Sequence, residues 1–395
     1  MKVMETTSAR GRVIQPSVTL ELSAKAKAMA AAGEKVLNLS AGEPDMPTPA
    51  PIVEAAHRAL DEGHFGYTAA AGVPPLREAI AEDRTQRCGV QFSGANVVVT
   101  NGAKQALFNA LSTATDPGDR VGVPLPYWVT YAEQVRALGC EPVFIDCPAA
   151  TGFAMDSDAL DAALAKDLRV MILNSPSNPT GAVWSKQQLG SVLDRIAQTD
   201  ALILSDEIYE DIVFVESGHV APLSLMPDLA SRCCVVSGLS KAFAMTGWRV
   251  GYTVAPLDWT RAMNALQGHS TSNICAISQQ AALAAVGRTD LVAPMVEVFR
   301  ARRDRCMVHV DSIDLLSAHT PEATFYLYLD ISRVLQAEGL PDDVDALANW
   351  LLDEHKIALV PGSAFGDPLH LRLSFASSDE VLDEAFARLA AALGG

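Results

Sequence analysis

Positive charge is scarce in this sequence beside negative charge. Against 47 aspartates and glutamates it sets 30 lysines and arginines, leaving a formal charge of −17. A surface of that sign repels phosphate backbones and anionic lipid, which argues against nucleic acid or membrane as a partner. No apolar run approaches the roughly eighteen residues needed to span a bilayer. The opening "MKVMETTSARGRVIQPS" has no apolar core of a secretory signal. The seven cysteines, at 88, 140, 147, 233, 234, 275 and 306, include no C-x-x-C pair. Neither a zinc site nor a disulfide framework is therefore expected, and no metal; buried reduced thiols are the plainer reading. No G-x-G-x-x-G follows a strand pattern, which sets aside a nicotinamide-binding fingerprint. No basic segment or helix-turn-helix pattern precedes Gly42, which sets aside a DNA-binding head. Together these absences lead to the expectation of a reduced, cytoplasmic protein of enzyme size.

What is present is apolar and periodic. Hydrophobic residues make up 49% of the 395 and charged residues 19%, enough for a sizeable core. Amphipathic stretches such as "PAPIVEAAHRALDEG" and "PPLREAIAEDRTQRCG" predict helices, the second with Pro at its start and Gly at its end. Short apolar runs, "NVVVT", "RVGVP", "EPVFID", "LRVMILN", "ALILSD", "CCVVSG" and "VGYTVA", predict seven strands, several separated by helical segments. That alternation predicts an α/β domain on a mostly parallel seven-stranded sheet. From about Leu291 a long charged helix, "PMVEVFRARRDRCMVHVD", leads into fewer strands ("TFYLYLD", "IALVPG", "LHLRLSFA"), which predicts a smaller α+β domain. The expected division is a segment 1–45 packing on the small domain or a partner subunit, a large domain 46–290 and a small domain 291–395.

Ligands of α/β sheets bind at the carboxyl ends of strands, so the polar residues there are the candidates. After "NVVVT" comes Asn101-Gly102-Ala103-Lys104, a small-residue turn opening a helix, suited to an anion. After "LRVMIL" comes Asn174 to Gly181, in which two prolines and a glycine present the amide of Asn178. After "ALILS" come Asp206 and Tyr209, and a carboxylate ending a buried run needs a cationic partner. After "CCVVS" come Ser240, Lys241 and, further on, Arg249. Singly, each has a plain explanation as a cap, a turn former or a surface cation. Jointly they describe a site for a phosphate, a ring nitrogen, a phenolic oxygen and an aldehyde, which is pyridoxal 5′-phosphate (PLP).

At this point the sequence resembles a family. "NSPSNPTG", "SDEIYE" and "GLSKAFAMTGWRVGY", in that order, look like the class I aminotransferases of fold type I. "LNLSAGEPDMPTP", "YTAAAGVPPLREAIA", "PYWVTY", "VPGSAFG" and "LRLSFA" extend the likeness over nearly the whole chain, nearest the bacterial aspartate and aspartate/prephenate aminotransferases. The resemblance implies a PLP-dependent aminotransferase, passing an amino group between an L-amino acid and a 2-oxo acid by a ping-pong mechanism in a homodimer. It implies that Lys241 links covalently to the cofactor and serves as the base, and that Asp206 pairs with the ring nitrogen. Tyr209 and Asn178 serve the phenolic oxygen, and Trp128 stacks on the ring. Ala103, Lys104, Ser240, Arg249 and, from the second subunit, Tyr67 serve the phosphate. Arg372 and the Gly42 backbone take the substrate α-carboxylate, and Trp128 and Asn178 also border the substrate. Lys104, with Ser17 and Thr19 closing over it, is expected to read a second carboxylate, which makes aspartate and glutamate the expected donors. Gln15, His269 and Glu322-Ala323-Thr324 depart from the subgroup's pattern, in segments expected to border the substrate side chain. An aromatic, prephenate or specialised-metabolism substrate, or a PLP-dependent lyase or synthase on the same scaffold, is the alternative.

Overall fold

The computed structural model describes residues 6–394; Met1–Glu5 of the N-terminal segment, and Gly395, lie outside the described residues. The strands are β1 (Leu37–Asn38), β2 (Val97–Asn101), β3 (Arg120–Leu125), β4 (Glu141–Asp146), β5 (Val170–Asn174), β6 (Leu202–Asp206), β7 (Cys233–Gly238) and β8 (Val250–Val254). They continue with β9 (Ser317–Ala318), β10 (Tyr326–Asp330), β11 (Ile357–Ala358), β12 (Val360–Pro361) and β13 (His370–Ser374). Seven of them form the large sheet in the order β2-β8-β7-β6-β5-β3-β4. All its pairings are parallel except those of β8, which runs antiparallel to both neighbours. Each of the seven apolar runs singled out in the sequence is one of these strands. The central strands β5, β6 and β7 are buried along nearly their whole length, as strands covered on both faces must be.

Parallel register aligns the strand ends. Asn174 at the end of β5 pairs with Asp206 at the end of β6, and Asp206 with Val236 of β7. The turns that follow therefore open onto one edge. The helix Ala103–Ala114 begins at the same edge, one residue beyond Gly102, whose φ of 81° suits glycine.

A second, antiparallel sheet has the order β12-β13-β10-β9. Two expectations change here. "IALVPG" is two short strands rather than one: β11 pairs with β1 and β12 with β13. The long helix begins at Thr289, ahead of "PMVEVF", and carries Pro294 inside it; Val292, Met295 and Val296 bury its face and offset the lost backbone bond. The N-terminal segment holds a helix, Val18–Ala31, that periodicity alone did not reveal, because only Leu22 and Ala26 are fully buried. It leads into β1, and Lys25–Asp353 and Lys35–Glu384 ion pairs also join this segment to the C-terminal part. Among the described residues, no helix is long and apolar enough to cross a membrane.

Candidate active site

The strand ends, the start of helix Ala103–Ala114, helix Val18–Ala31 and β13 enclose a cavity of about 440 Å³. Eleven of the twelve candidate residues, Gly42, Ala103, Lys104, Trp128, Asn178, Asp206, Tyr209, Ser240, Lys241, Arg249 and Arg372, line it. Tyr67 does not: it is 95% exposed, beside the Thr271–Ile277 stretch.

Lys241 lies in the turn after β7, beyond Leu239 and Ser240, and its Nζ donates to the Gly42 carbonyl. The Tyr209 and Phe325 rings each lie 6.0 Å from it. Burial, and after it the positive charge of Arg372, lowers its pKa to about 8. Asp206 ends β6 at 1% exposure. Burial raises its pKa to about 6, against the opposing pull of two donors, the Tyr131 hydroxyl at 2.6 Å and the Ile208 N–H at 3.2 Å. A carboxylate so placed is stabilised by a cation in the cavity.

Burial, and then the Tyr326 hydroxyl 3.0 Å away, pushes the Tyr209 phenol well above its usual range. It stays a neutral donor. Tyr326 is also why residue 42 is glycine, since a β-carbon there would lie 2.9 Å from the Tyr326 hydroxyl.

Arg372, on β13, is 3% exposed and packs its guanidinium 4.2 Å above the Tyr326 ring. Nη1 donates to the Asn178 side-chain oxygen at 2.8 Å and Nη2 to the Ser40 carbonyl at 3.1 Å. Its buried Nε finds no partner among the described residues. Asn178 is held in turn by its backbone N–H on Asn174, 3.2 Å away.

The third part is a cradle. Arg249, at φ 57°, spans the Thr246 carbonyl at 2.9 Å and the Asn101 carbonyl at 3.0 Å. A β-carbon on Gly102 would run into that guanidinium, and one on Gly251 into the Ala103 nitrogen. Two glycines thus let a cation and a helix start converge on one spot. Lys104 is exposed, with Nζ 5.1 Å from the Trp128 ring centroid. Burial of part of the side chain, and then Arg249, lowers its pKa.

Of the departures from the subgroup's pattern, none of Gln15, His269, Glu322, Ala323 or Thr324 itself lines this cavity, although Ser17 and Tyr326, each two residues beyond Gln15 and Thr324, do. Gln15 gives its N–H to Glu133, His269 is exposed near a helix end, and Glu322 accepts from the Val183 N–H. Thr324 is fully buried in a left-handed turn, φ 68°. Two residues that the sequence did not mark do belong to the site, Tyr131 and Tyr326. Tyr131 stood inside "PYWVTY" and Tyr326 inside a strand pattern, with no signal beyond their polar tips.

A family profile described as "Aminotransferase class I and II" matches residues 34–389. The chain belongs to that family. It is 42% identical to an aspartate aminotransferase of Streptomyces avermitilis over 97% of this chain and 95% of that protein. It is 40% identical to an aspartate/prephenate aminotransferase of Cereibacter sphaeroides, over 97% of each. Among solved structures, the aspartate aminotransferase of Thermus thermophilus with maleate superposes with a TM-score of 0.92 at 36% identity, over 98% of this chain and 100% of that one. The Rhizobium meliloti aspartate aminotransferase does so with a TM-score of 0.93 at 37% identity, over 99% of each. The fold is thus fold type I, and this aminotransferase uses PLP. The residues present suit that cofactor: a buried acid for a ring nitrogen, a depressed lysine for a carbonyl, and a glycine-lined cationic cradle for a phosphate.

Proposed function

We propose that the preferred amino donors are dicarboxylic, aspartate and glutamate, and that the residues above divide the work as follows. When bound, PLP supplies a carbonyl that joins to an amine and a cationic ring that draws electrons from the substrate Cα. Lys241 would hold it covalently until the substrate amine takes its place, and the Nζ so freed would take the proton from the substrate Cα. Asp206 holds the ring-nitrogen proton. Tyr209 and Asn178 donate to the phenolic oxygen, and Trp128 packs on the ring. The backbones of Ala103 and Lys104, with Ser240 and the Arg249 guanidinium, would hold the phosphate. Arg372 orients the α-carboxylate through its planar fork, beside the Gly42 backbone.

The observation that carries the substrate reading is the count of cations at the cavity. Arg372 is committed to one carboxylate and Arg249 to the phosphate. Lys104 and, on helix Val18–Ala31, Lys27 are the exposed cations left for a second carboxylate; Lys104 is the one beside the phosphate cradle, with Ser17 and Thr19 of the N-terminal segment at the same cavity. The relatives named as aspartate aminotransferases, and the Thermus structure with maleate, support it. Turnover of a panel of amino donors, with 2-oxoglutarate and oxaloacetate as acceptors, tests it. Aspartate and glutamate are expected to lead, with parallel double-reciprocal lines for a ping-pong order. Lys104→Ala is expected to lower aspartate turnover more than alanine turnover. Poor turnover of both dicarboxylic donors overturns the specificity.

The same reading includes a homodimer in which Tyr67 serves the partner's phosphate. The exposure of Tyr67, and of Phe65 at 73%, supports it. It includes the division 1–45, 46–290 and 291–395, and a cytoplasmic setting, which seven free thiols support.

A further inference from the structure

Asp206 is held by a residue that the cofactor does not need to touch. Tyr131 sits in the first turn of helix Thr130–Ala137, at 1% exposure. Its hydroxyl reaches Asp206 Oδ2 at 2.6 Å, a short bond to a carboxylate that is itself 1% exposed. Asp206 Oδ1 accepts only the more distant Ile208 N–H, at 3.2 Å, among the bonds described. The Tyr131 ring also meets Trp128 edge to face, with centroids 5.5 Å apart at 90°. One side chain thus touches both the acid at one edge of the cofactor's place and the indole that borders its face.

We propose that Tyr131 is a positioning residue for the reaction, fixing the orientation and charge of Asp206 through its hydroxyl and the tilt of Trp128 through its ring. The chemistry supports a donor rather than an acceptor. Burial, and then the Asp206 charge, pushes the Tyr131 phenol well above its usual range, so the hydroxyl keeps its proton. Burial drives Asp206 toward the neutral form, and the bond from Tyr131 opposes it most. Without that bond, a buried carboxylate loses its strongest donor and favours the protonated form. A protonated Asp206 no longer keeps the ring nitrogen cationic. The plain alternative is that Tyr131 is a core aromatic, packed with Val123, Val135 and Ile172, whose hydroxyl merely avoids being unsatisfied.

This rests on Asp206 serving the ring nitrogen, so the test includes Asp206→Asn by itself. Holoenzymes of wild type, Tyr131→Phe, Asp206→Asn and the double variant are compared by three readouts. These are the pH titration of the bound cofactor's absorption band, the PLP dissociation constant, and kcat against KM. Tyr131→Phe keeps the ring and removes the hydroxyl. It is expected to move the titration midpoint, weaken PLP and lower kcat by about ten- to a hundredfold, with KM near wild type. The double variant is expected to be no worse than Asp206→Asn alone, since the hydroxyl acts through that carboxylate. A Tyr131→Phe enzyme with wild-type titration and PLP affinity, even one that melts earlier, overturns the proposal. So does a double variant whose losses add. If Asp206→Asn is itself harmless, the assignment of Asp206 fails and the proposal falls with it. If Asp206→Asn is crippled while Tyr131→Phe is not, only the role of Tyr131 fails.

Discussion

A lysine and an arginine in apolar surroundings are the residues on which the site turns, because each is costly unless its charge is removed or matched. For Lys241 the outcome is a pKa near 8 instead of the ordinary 10.5. Its folded-state pKa is depressed, so between about pH 8 and the ordinary value the unfolded chain binds the extra proton. Stability from this group therefore rises with pH across that window. In cofactor-free protein, the urea midpoint of wild type is expected to gain on that of Lys241→Met as pH rises from 8 to 10. A constant difference would show that Lys241 carries no buried-charge penalty. In holoenzyme, Lys241→Ala is expected to lose both turnover and borohydride trapping of the cofactor at a lysine. Arg372 makes the contrasting case, since its charge is kept and is solvated by the Asn178 and Ser40 oxygens and the Tyr326 ring face. Arg372→Lys keeps the charge and loses the fork. Its kcat/KM is expected to fall by about 2–3 kcal/mol of transition-state binding, while PLP affinity stays near wild type. Unchanged kinetics for every amino donor would remove Arg372 from the site.

At the scale of elements, the site depends on backbones brought unusually close. β8 lies against the start of helix Ala103–Ala114 because residue 251 has no β-carbon. Gly251→Ala is expected to cost about 1–3 kcal/mol by overpacking and to weaken PLP, as the cradle shifts. Gly247→Ala, where a β-carbon meets nothing within 4 Å, is the matched control and is expected to do neither. Behind Asp206, the helix Pro74–Cys88 is tied to β6 by a buried charge cluster. Arg84, 3% exposed, bonds Glu210 at 2.6 Å and lies 3.5 Å from Glu207, which also accepts from His219 at 3.1 Å. Glu207, Glu210 and His219 have the spacing of a metal site, but the Arg84 guanidinium already supplies the cation to both acids. Arg84→Met leaves two buried carboxylates short of their partner. Urea unfolding is expected to show a loss of about 3–5 kcal/mol.

For the whole molecule, the open question at the cavity is Tyr67, which lies outside it in its own chain. The proposed dimer gives a direct test by mixing two impaired proteins. Lys241→Ala lacks the covalent anchor, and Tyr67→Ala lacks the phosphate contact that its partner would use. In a mixed dimer one site carries both defects and the other neither. Subunit exchange between the two variants is expected to raise turnover above that of either parent. Sedimentation is expected to show a dimer throughout. Failure to recover activity from a demonstrated mixed dimer would place Tyr67 outside the partner's site.

The sequence by itself determined the seven strands of the large sheet, because runs such as "VMILN" and "LILSD" are apolar on both faces and end abruptly in polar residues. It also determined which residues follow those ends, and they line one cavity, since parallel strands in register must deliver their C-terminal turns to one edge; Gly42 and Arg372 reach the same cavity from other elements and were legible only through the family resemblance. The helix Val18–Ala31 was not legible, because only two of its residues are buried and its ion pair, Lys25 with Asp353, reaches 328 positions along the chain. The likeness of "TFYLYLD" to any alternating strand likewise concealed Tyr326. Only the pairing of β10 with β13, Tyr328 against Arg372, sets the arginine beside the Tyr326 ring, and register is a property of two strands rather than of one. Tyr131 was hidden for the same reason: its polar tip is one hydroxyl on an apolar ring, and its partner lies 75 residues along the chain. Strand identity is written in local composition, whereas the company a buried polar group keeps is decided by which distant segment the fold sets against it.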